Sequence, residues 1–226
     1  MKVLILSDEE CAALWDYYVP GRLAEYDLII SCGDLKSEYL MFLVTMARCP
    51  VFYVRGNHDT GYAVRPPEGC DCIDGGILEY NGYRFLGLGG SPRYSGGKYQ
   101  YTQSQMRGKI RRLRWKLHSY PPDMVVTHAP PRHMGDQDDP AHVGFEAFVE
   151  LMAKYSPGWL VHGHVHLRYG RVERVRQYRN TTLINGCERF VLDLPDREVD
   201  PKKKNRLHQH LQIRNQDQRT MIPNKK

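Results

Sequence analysis

The sequence predicts an α/β fold with a parallel sheet, and three observations carry that prediction. Short apolar runs, "KVLILS" at 2–7, "YDLIISCGD" at 26–34 and "CPVFYVRGNHD" at 49–59, are bounded by charge or glycine, the pattern of strands buried on both faces. Between them lie stretches of helical spacing, weak over 14–26 and strong over 35–48, where Leu40, Leu43, Val44 and Ala47 recur at intervals of three and four. The resulting β-α-β-α-β order is that of strands joined by crossover helices. In such sheets ligands collect outside the carboxyl ends of the strands, and each of these runs ends in polar groups.

The middle of the chain changes character. In "GILEYNGYRFLGLGG" the pair Asn81-Gly82 separates two alternating apolar runs, a strong hairpin signal, and a second sheet is expected to begin there. Thr102 then opens an amphipathic helix with Met106, Ile110, Leu113 and Leu117 on one face and a run of Arg and Lys around it, read as a solvated face beside a buried stripe. "DMVVTHAPP" is a further strand ending at His128, 144–155 reads as a helix, and "GWLVHGHVH" is a fifth apolar run, ending in histidines. The segments "GRVERV", "TTLING" and "FVLDL" between 169 and 194 are expected as strands of the second sheet.

A chain of 226 residues suits one α/β domain, placed at 1–195, with a basic tail at 196–226. The formal net charge is +6, and the tail holds nine Lys or Arg against four Asp or Glu, so the body is nearly neutral. A solvated, partly disordered end is the reading favoured for the tail over a surface for nucleic acid or acidic lipid. The longest apolar stretch, 40–47, falls far short of the roughly 18 residues a membrane-spanning helix needs, so a soluble, cytoplasmic protein without a membrane partner is expected. Six scattered cysteines read as free thiols, and Cys70 and Cys72 have no second pair with which to complete a zinc ribbon.

The strand ends together present Asp8, Glu10, Asp34, Asn57, His58, Asp59, His128, His164 and His166. Each alone has a plain structural explanation: a helix cap, a turn residue, a satisfied core histidine. The coincidence is what signals chemistry. Five separate apolar runs end in groups able to hold a metal, and the mixture of carboxylates, imidazoles and an amide carbonyl suits one or two transition-type cations. There are more donors than one tetrahedral zinc takes, and two metals sharing a carboxylate would use them all.

The ordered blocks Asp8-x-Glu10, Gly33-Asp34, Gly56-Asn57-His58-Asp59, His128 and Gly163-His164-Val165-His166 resemble the calcineurin-like metallophosphoesterase superfamily over roughly residues 1–195. The resemblance implies a four-layer α/β/β/α sandwich of two mixed sheets flanked by helices. It also implies a dinuclear centre; of the divalent cations that could fill it, the donor set favours manganese, with iron, zinc, nickel or magnesium compatible. In that centre Asp34 bridges, Asp8 and His166 hold one cation and Asn57, His128 and His164 the other. By the same resemblance His58 faces the substrate phosphate and Asp59 steadies His58; two-metal chemistry would then have a bridging hydroxide near Asp34 attack phosphorus while His58 protonates the leaving alkoxide or stabilises charge on it.

One block departs from the family pattern, which usually reads Asp-x-His: residue 10 is Glu, expected to substitute as a ligand and give that cation an oxygen-rich shell. Arg55 and Arg93 are candidate phosphate clamps, with a surface role equally open to both, and the loop 129–143, with Arg132, His133 and His142, is a candidate pocket wall whose Asp136, Asp138 and Asp139 read as solvated. The expected activity is metal-dependent hydrolysis of a small phosphodiester or nucleotide, with monoesters close behind and nucleic acid not favoured. Two competing readings stand beside it: a nuclease, supported by the basic helix and tail, and a non-catalytic binding scaffold with a degraded metal site.

Overall fold

The computed structural model describes residues 1–167 and 173–198. Its strands are β1 (Lys2–Leu6), β2 (Leu28–Ser31), β3 (Val51–Tyr53), β4 (Asp71–Cys72), β5 (Ile77–Tyr80), β6 (Tyr83–Leu88) and β7 (Ser91–Pro92). After these come β8 (Gln100–Tyr101), β9 (Met124–Thr127), β10 (Trp159–His162), β11 (Val175–Tyr178), β12 (Thr181–Asn185) and β13 (Phe190–Asp193). The helices are α1 (Ser37–Met46), α2 (Gln103–Arg112), α3 (Arg114–Ser119) and α4 (Glu146–Tyr155).

Two large mixed sheets face each other. The first runs β13-β1-β2-β3-β4 and the second β11-β12-β10-β9-β6-β5, with parallel centres and antiparallel edges at β13, β11 and β5. Alternation along the buried strands explains the layering. Val3, Ile5, Leu28, Ile30, Phe52 and Val54 pack inward on Phe85, Met124, Val126, Val161 and Ile184 of the opposite sheet. The other set, Leu4, Leu6, Ile29, Val51 and Tyr53, meets Tyr39, Leu40 and Leu43 of α1. On the far side Leu86, Leu88, Val125 and Leu160 meet Met106 of α2 and Phe148, Leu151 and Met152 of α4. The four-layer α/β/β/α sandwich is the observed fold, and each fully buried aliphatic or aromatic side chain in its layers contributes about 1.5–3 kcal/mol.

The hairpin forms where expected, with Asn81 at φ 47 and Gly82 at φ 77, the left-handed pair that a two-residue turn between twisted strands requires. Thr102 caps α2 through a reciprocal bond pair with Gln105. Two expectations are corrected. The stretch 14–26 is not a helix: beyond a single 3-10 turn at Ala12–Leu14 it runs through turns, because Pro20 lacks an amide donor and Gly21 takes φ 88. Leu14 and Leu23 are nonetheless buried in the outer layer. "FVLDL" belongs to the first sheet, where β13 lies antiparallel to β1 with Lys2 opposite Asp193. An alternating edge strand reads the same whichever sheet it joins; the crossing is made by Cys187, bridged to Ser7, and by the Glu188 amide, which donates to Ser7 O.

Part of "GRVERV", residues 170–172, lies outside the described residues, as does the basic tail from 199 onward. Residues 195–197 pack on the hairpin: Tyr83 Oη donates to Pro195 O, and Arg197 reaches Gly82 O and Asp123. All six cysteines are free. Among the described residues no helix is long and apolar enough to cross a membrane.

Candidate metal centre

The carboxyl ends of β1, β2, β3, β9 and β10 meet at one rim, and backbone bonds stitch the loops that leave them. Asp8 N donates to Gly33 O at 3.1 Å and Gly163 N to His128 O at 2.9 Å. Asp8, Asp34 and His164 each sit in the left-handed region, at φ 63, 56 and 68. Non-glycine residues held there cost of order 1–3 kcal/mol, so three such residues at one rim mark a place where side-chain direction outranks backbone comfort. The glycine before two of the blocks allows the loops to approach. A Cβ on Gly56 would lie 2.0 Å from Asp34 Oδ1, and one on Gly163 would lie 1.8 Å from Ser7 Oγ and 2.4 Å from Asp8 Oδ2.

Asp34, His128 and His164 place ligand-type atoms within 4.8 Å of one another. The hydrogen bonds settle which atoms face inward. His128 Nδ1 lies 2.9 Å from Cys32 O, a carbonyl that can only accept, so Nδ1 carries a proton and donates. Its Nε2 then points at Asn57 Oδ1, 3.0 Å away, and Asp34 Oδ2, 3.2 Å away. Asn57 Nδ2 donates to Tyr94 Oη at 3.2 Å, which fixes the amide with its oxygen toward the cluster. His164 Nε2 donates to Ala141 O at 2.7 Å, which leaves Nδ1 as the nitrogen with the lone pair.

Electrostatics follow this geometry. Burial lowers His164 to about 3, helped by the charge on His128, so its ring is neutral. Burial also opposes charge on His128, but the Asp34 carboxylate beside it wins and the ring is pushed up. Asp34 is the reciprocal case: burial raises its carboxyl, and His128 with the His58 amide brings it below the usual range. Burial raises the Asp8 carboxyl, which accepts the His164 amide at 2.9 Å. Two oxygens aimed at one ring nitrogen form an acceptor-rich pocket that suits a positive charge, and its mixture of carboxylate, amide and imidazole donors fits a divalent cation of the manganese, iron or zinc type.

Asp59 is placed differently from the expectation. Its Oδ2 accepts the amides of Gly56 at 2.7 Å and Asp34 at 2.9 Å, so it ties the β2 and β3 loops together rather than holding the His58 ring. Burial, then the charge of Asp34, raises it to about 6. The His58 amide donates to Asp34 Oδ1 at 2.8 Å and its exposed side chain lines a cleft of about 540 Å³ together with Asp8, Glu10, Asp34 and Asp59. Glu10 stands at this cleft, but its carboxylate is drawn to Lys36, whose amide lies 3.3 Å and Nζ 3.5 Å away. His166 turns to Glu9, Nδ1 to Oε1 at 3.0 Å, rather than joining the Asp34 cluster.

Neither expected arginine lines the cleft. Arg55 faces the buried carboxylate of Asp74 at 3.8 Å and the ring of Tyr99, and Arg93 donates to Gln105 of α2. The cations at the cleft are Lys36 and Arg65, the latter paired with Glu38 at 2.8 Å. The 129–143 loop supplies the carbonyl of Ala141 to His164; within it the Asp136 side chain is 4% exposed rather than solvated, and it binds Arg132 at 2.6 Å and the Gly144 amide. Sequence reasoning missed Lys36, Arg65, Tyr94 and Ala141. Tyr94 alone carried a signal, as the neighbour of Arg93 in "GGSPRY".

The family model of calcineurin-like phosphoesterases matches residues 1–168. UPF0046 protein K07C11.7 of Caenorhabditis elegans is 26% identical over 211 residues, covering 83% of this chain and 70% of that protein. The crystal structure of TT1561 of Thermus thermophilus superposes with a TM-score of 0.56 at 16% identity, covering 83% of this chain and 89% of its own. Another solved structure gives a TM-score of 0.62 at 17% identity, over 88% of this chain and 97% of that one. At these identities the structural likeness speaks to the fold alone.

Proposed function

Matched over residues 1–168, the chain belongs to the calcineurin-like phosphoesterase family, and from that premise we propose that it is a metal-dependent hydrolase of small phosphoesters, diesters or nucleotides foremost. The observation that carries the proposal is the convergence of Asp34, Asn57, His128 and His164 on one point, each held by a separate partner. A divalent cation held by these four would act as a Lewis acid on phosphoryl oxygens and acidify a water ligand.

The chain's own residues supply the rest. His58 is anchored through its amide to Asp34, so its ring is carried on the same rigid link as the metal ligands while remaining exposed to the cleft. From there it gives a proton to the departing alkoxide, a role commonly worth about 10²–10⁴-fold. Lys36, paired with Glu10, and Arg65, paired with Glu38, stand at the cleft, Leu35 and Tyr62 add apolar wall, and its volume suits a small molecule. Two of the cations in the basic helix are engaged in ion pairs, Arg107 with Glu146 and Glu150 and Lys109 with Asp74, which weakens the nuclease reading.

The test is hydrolysis of bis(p-nitrophenyl) phosphate and p-nitrophenyl phosphate by protein stripped of metal and reloaded with manganese or zinc. The expected result is metal-dependent turnover that falls about 10²-fold or more in His58→Ala with cation binding retained. Absence of turnover with either metal, on protein shown to bind it, supports the binding-scaffold reading instead.

A further inference from the structure

Beside the Asp34 cluster lies a second group that the proposed reaction does not use. Glu9, His166 and Cys187 place a carboxylate oxygen, a ring nitrogen and a sulfur all within 4.8 Å of one another. From that spacing a point exists no farther than about 2.8 Å from each atom, so small side-chain movements reach the 2.0–2.3 Å bonds of a zinc site.

The group is built rather than incidental. Cys187 is buried and comes from the segment bridged to Ser7, two residues before Glu9. Asn185, also buried, accepts the Cys187 amide on Oδ1 at 2.8 Å and donates from Nδ2 to Val165 O at 2.8 Å, clamping the cysteine loop against the residue before His166. Arg174 holds the same loop from outside, donating to Asn185 O and Cys187 O. Meanwhile Glu10, the acid expected to serve as a ligand, is drawn to Lys36.

We propose that Glu9, His166 and Cys187 form a second cation site with one carboxylate, one imidazole and one thiolate, adjacent to the Asp34 site and different from it in metal preference. The inference deepens the phosphoesterase reading and rests on it in assigning a first cation to Asp34, Asn57, His128 and His164. The two sites meet at the stretch 164–166: His164 turns to one and His166, with Glu9, to the other, while the Asp8 carboxylate between them accepts the His164 amide. On binding, the Cys187 thiol releases its proton to solvent, Glu9 binds as carboxylate and His166 as neutral imidazole. Three protein ligands leave a coordination position open. A thiolate in the set selects zinc, cobalt or ferrous iron over magnesium and manganese, so this site discriminates where the oxygen- and nitrogen-only cluster does not.

The experiment is titration of metal-stripped full-length protein with Co²⁺ followed by absorption, and with Zn²⁺ and Mn²⁺ followed by bound-metal analysis. Co²⁺ and Zn²⁺ are expected to fill two sites and Mn²⁺ one, and the cobalt protein is expected to show thiolate-to-metal charge-transfer absorption in the near ultraviolet. Cys187→Ser should abolish that band and weaken the second zinc equivalent by about 10–100-fold or more, with the first equivalent and the circular dichroism spectrum unchanged. Glu9→Gln, on a half-buried side chain, provides a second variant should the serine fail to fold; it should weaken the same equivalent, whereas Glu10→Gln should not. A band that survives Cys187→Ser, a second equivalent bound with no band, or dependence on Glu10 instead of Glu9 overturns the proposal. Failure of the phosphoesterase reading looks different: the first equivalent or metal-dependent hydrolysis is then missing while the thiolate band remains.

Discussion

Alanine at Gly56 is the sharpest probe of how the centre is assembled. The added Cβ would stand 2.0 Å from Asp34 Oδ1, 2.5 Å from Asp34 Cγ and 2.7 Å from Asp34 N. Rotating the Asp34 side chain relieves only the first two contacts; the third is backbone, so the β2 and β3 loops must part. Forcing atoms into a close-packed position costs about 1–3 kcal/mol. Parting the loops also stretches the bond from the His58 amide to the Asp34 carboxylate, worth roughly 1.5–3 kcal/mol for a charged acceptor. The expected destabilisation is therefore roughly 2.5–6 kcal/mol.

Urea unfolding reads this as a drop in midpoint of roughly 1–3 M at unchanged slope, and bound-metal analysis should show the first equivalent lost. Alanine at Gly61 or Gly108 makes the contrast, since nothing lies within 4 Å of a Cβ there and neither sits at positive φ. Those substitutions should be neutral or stabilise by about 0.4–1 kcal/mol. A Gly56→Ala protein with a wild-type midpoint and full metal content would refute the reasoning, because the close approach of the two loops would then not be what positions Asp34.

Asp59→Ala leaves the Gly56 and Asp34 amides without their shared acceptor and should destabilise by about 2–4 kcal/mol, whereas Asp59→Asn keeps an acceptor oxygen and should recover most of that in the same urea assay. In metal-free protein the His128 ring is held at about 9 by Asp34 against an ordinary value of 6.5, so its contribution to stability is complete below about pH 6.5 and is lost as pH rises through 9. Metal-free protein should thus show a falling urea midpoint between those values. Cation uptake at pH 7 should release about one proton from His128, read by calorimetry in buffers of different ionisation enthalpy.

The strand-end residues were legible because each is the last polar group of a short apolar run, and the direction of a parallel strand decides which rim receives it. That logic brings Asp34, Asn57, His128 and His164 together without knowledge of any side-chain angle. It fails one residue away. Whether Glu9 or Glu10 turns toward His166 depends on Asp8 taking φ 63, a backbone choice that shifts the following side chains and leaves no trace in composition. Cys187 looked like one of six scattered thiols because its neighbour in space, Ser7, is at the other end of the sequence. The same ambiguity sent "FVLDL" to the wrong sheet: an alternating edge strand records that one face is covered, not what covers it. Arg55 stands away from the cleft because a cation next to a motif in sequence can be drawn to an acid elsewhere, here Asp74, which is bridged to Gly87.

The orienting partners of the first cluster carry a consequence for folding. Cys32 O, Tyr94 Oη and Ala141 O each satisfy the outward atom of one ligand, so the inward atoms of His128, Asn57 and His164 are set by groups that need no metal. The remaining problem is electrostatic, since Asp34 Oδ2 and Asn57 Oδ1 both point at His128 Nε2. A proton on that nitrogen answers both oxygens, and a cation in its place answers them as well. Cation binding would therefore exchange one positive charge for another with the loops already in register, unlike small zinc modules whose folding waits for the metal. The second cluster lacks that substitute. Burial raises the Cys187 thiol to about 11, so near neutral pH its sulfur stays protonated until a metal displaces the proton. Filling should accordingly proceed in order, the Asp34 site first and the thiolate site second.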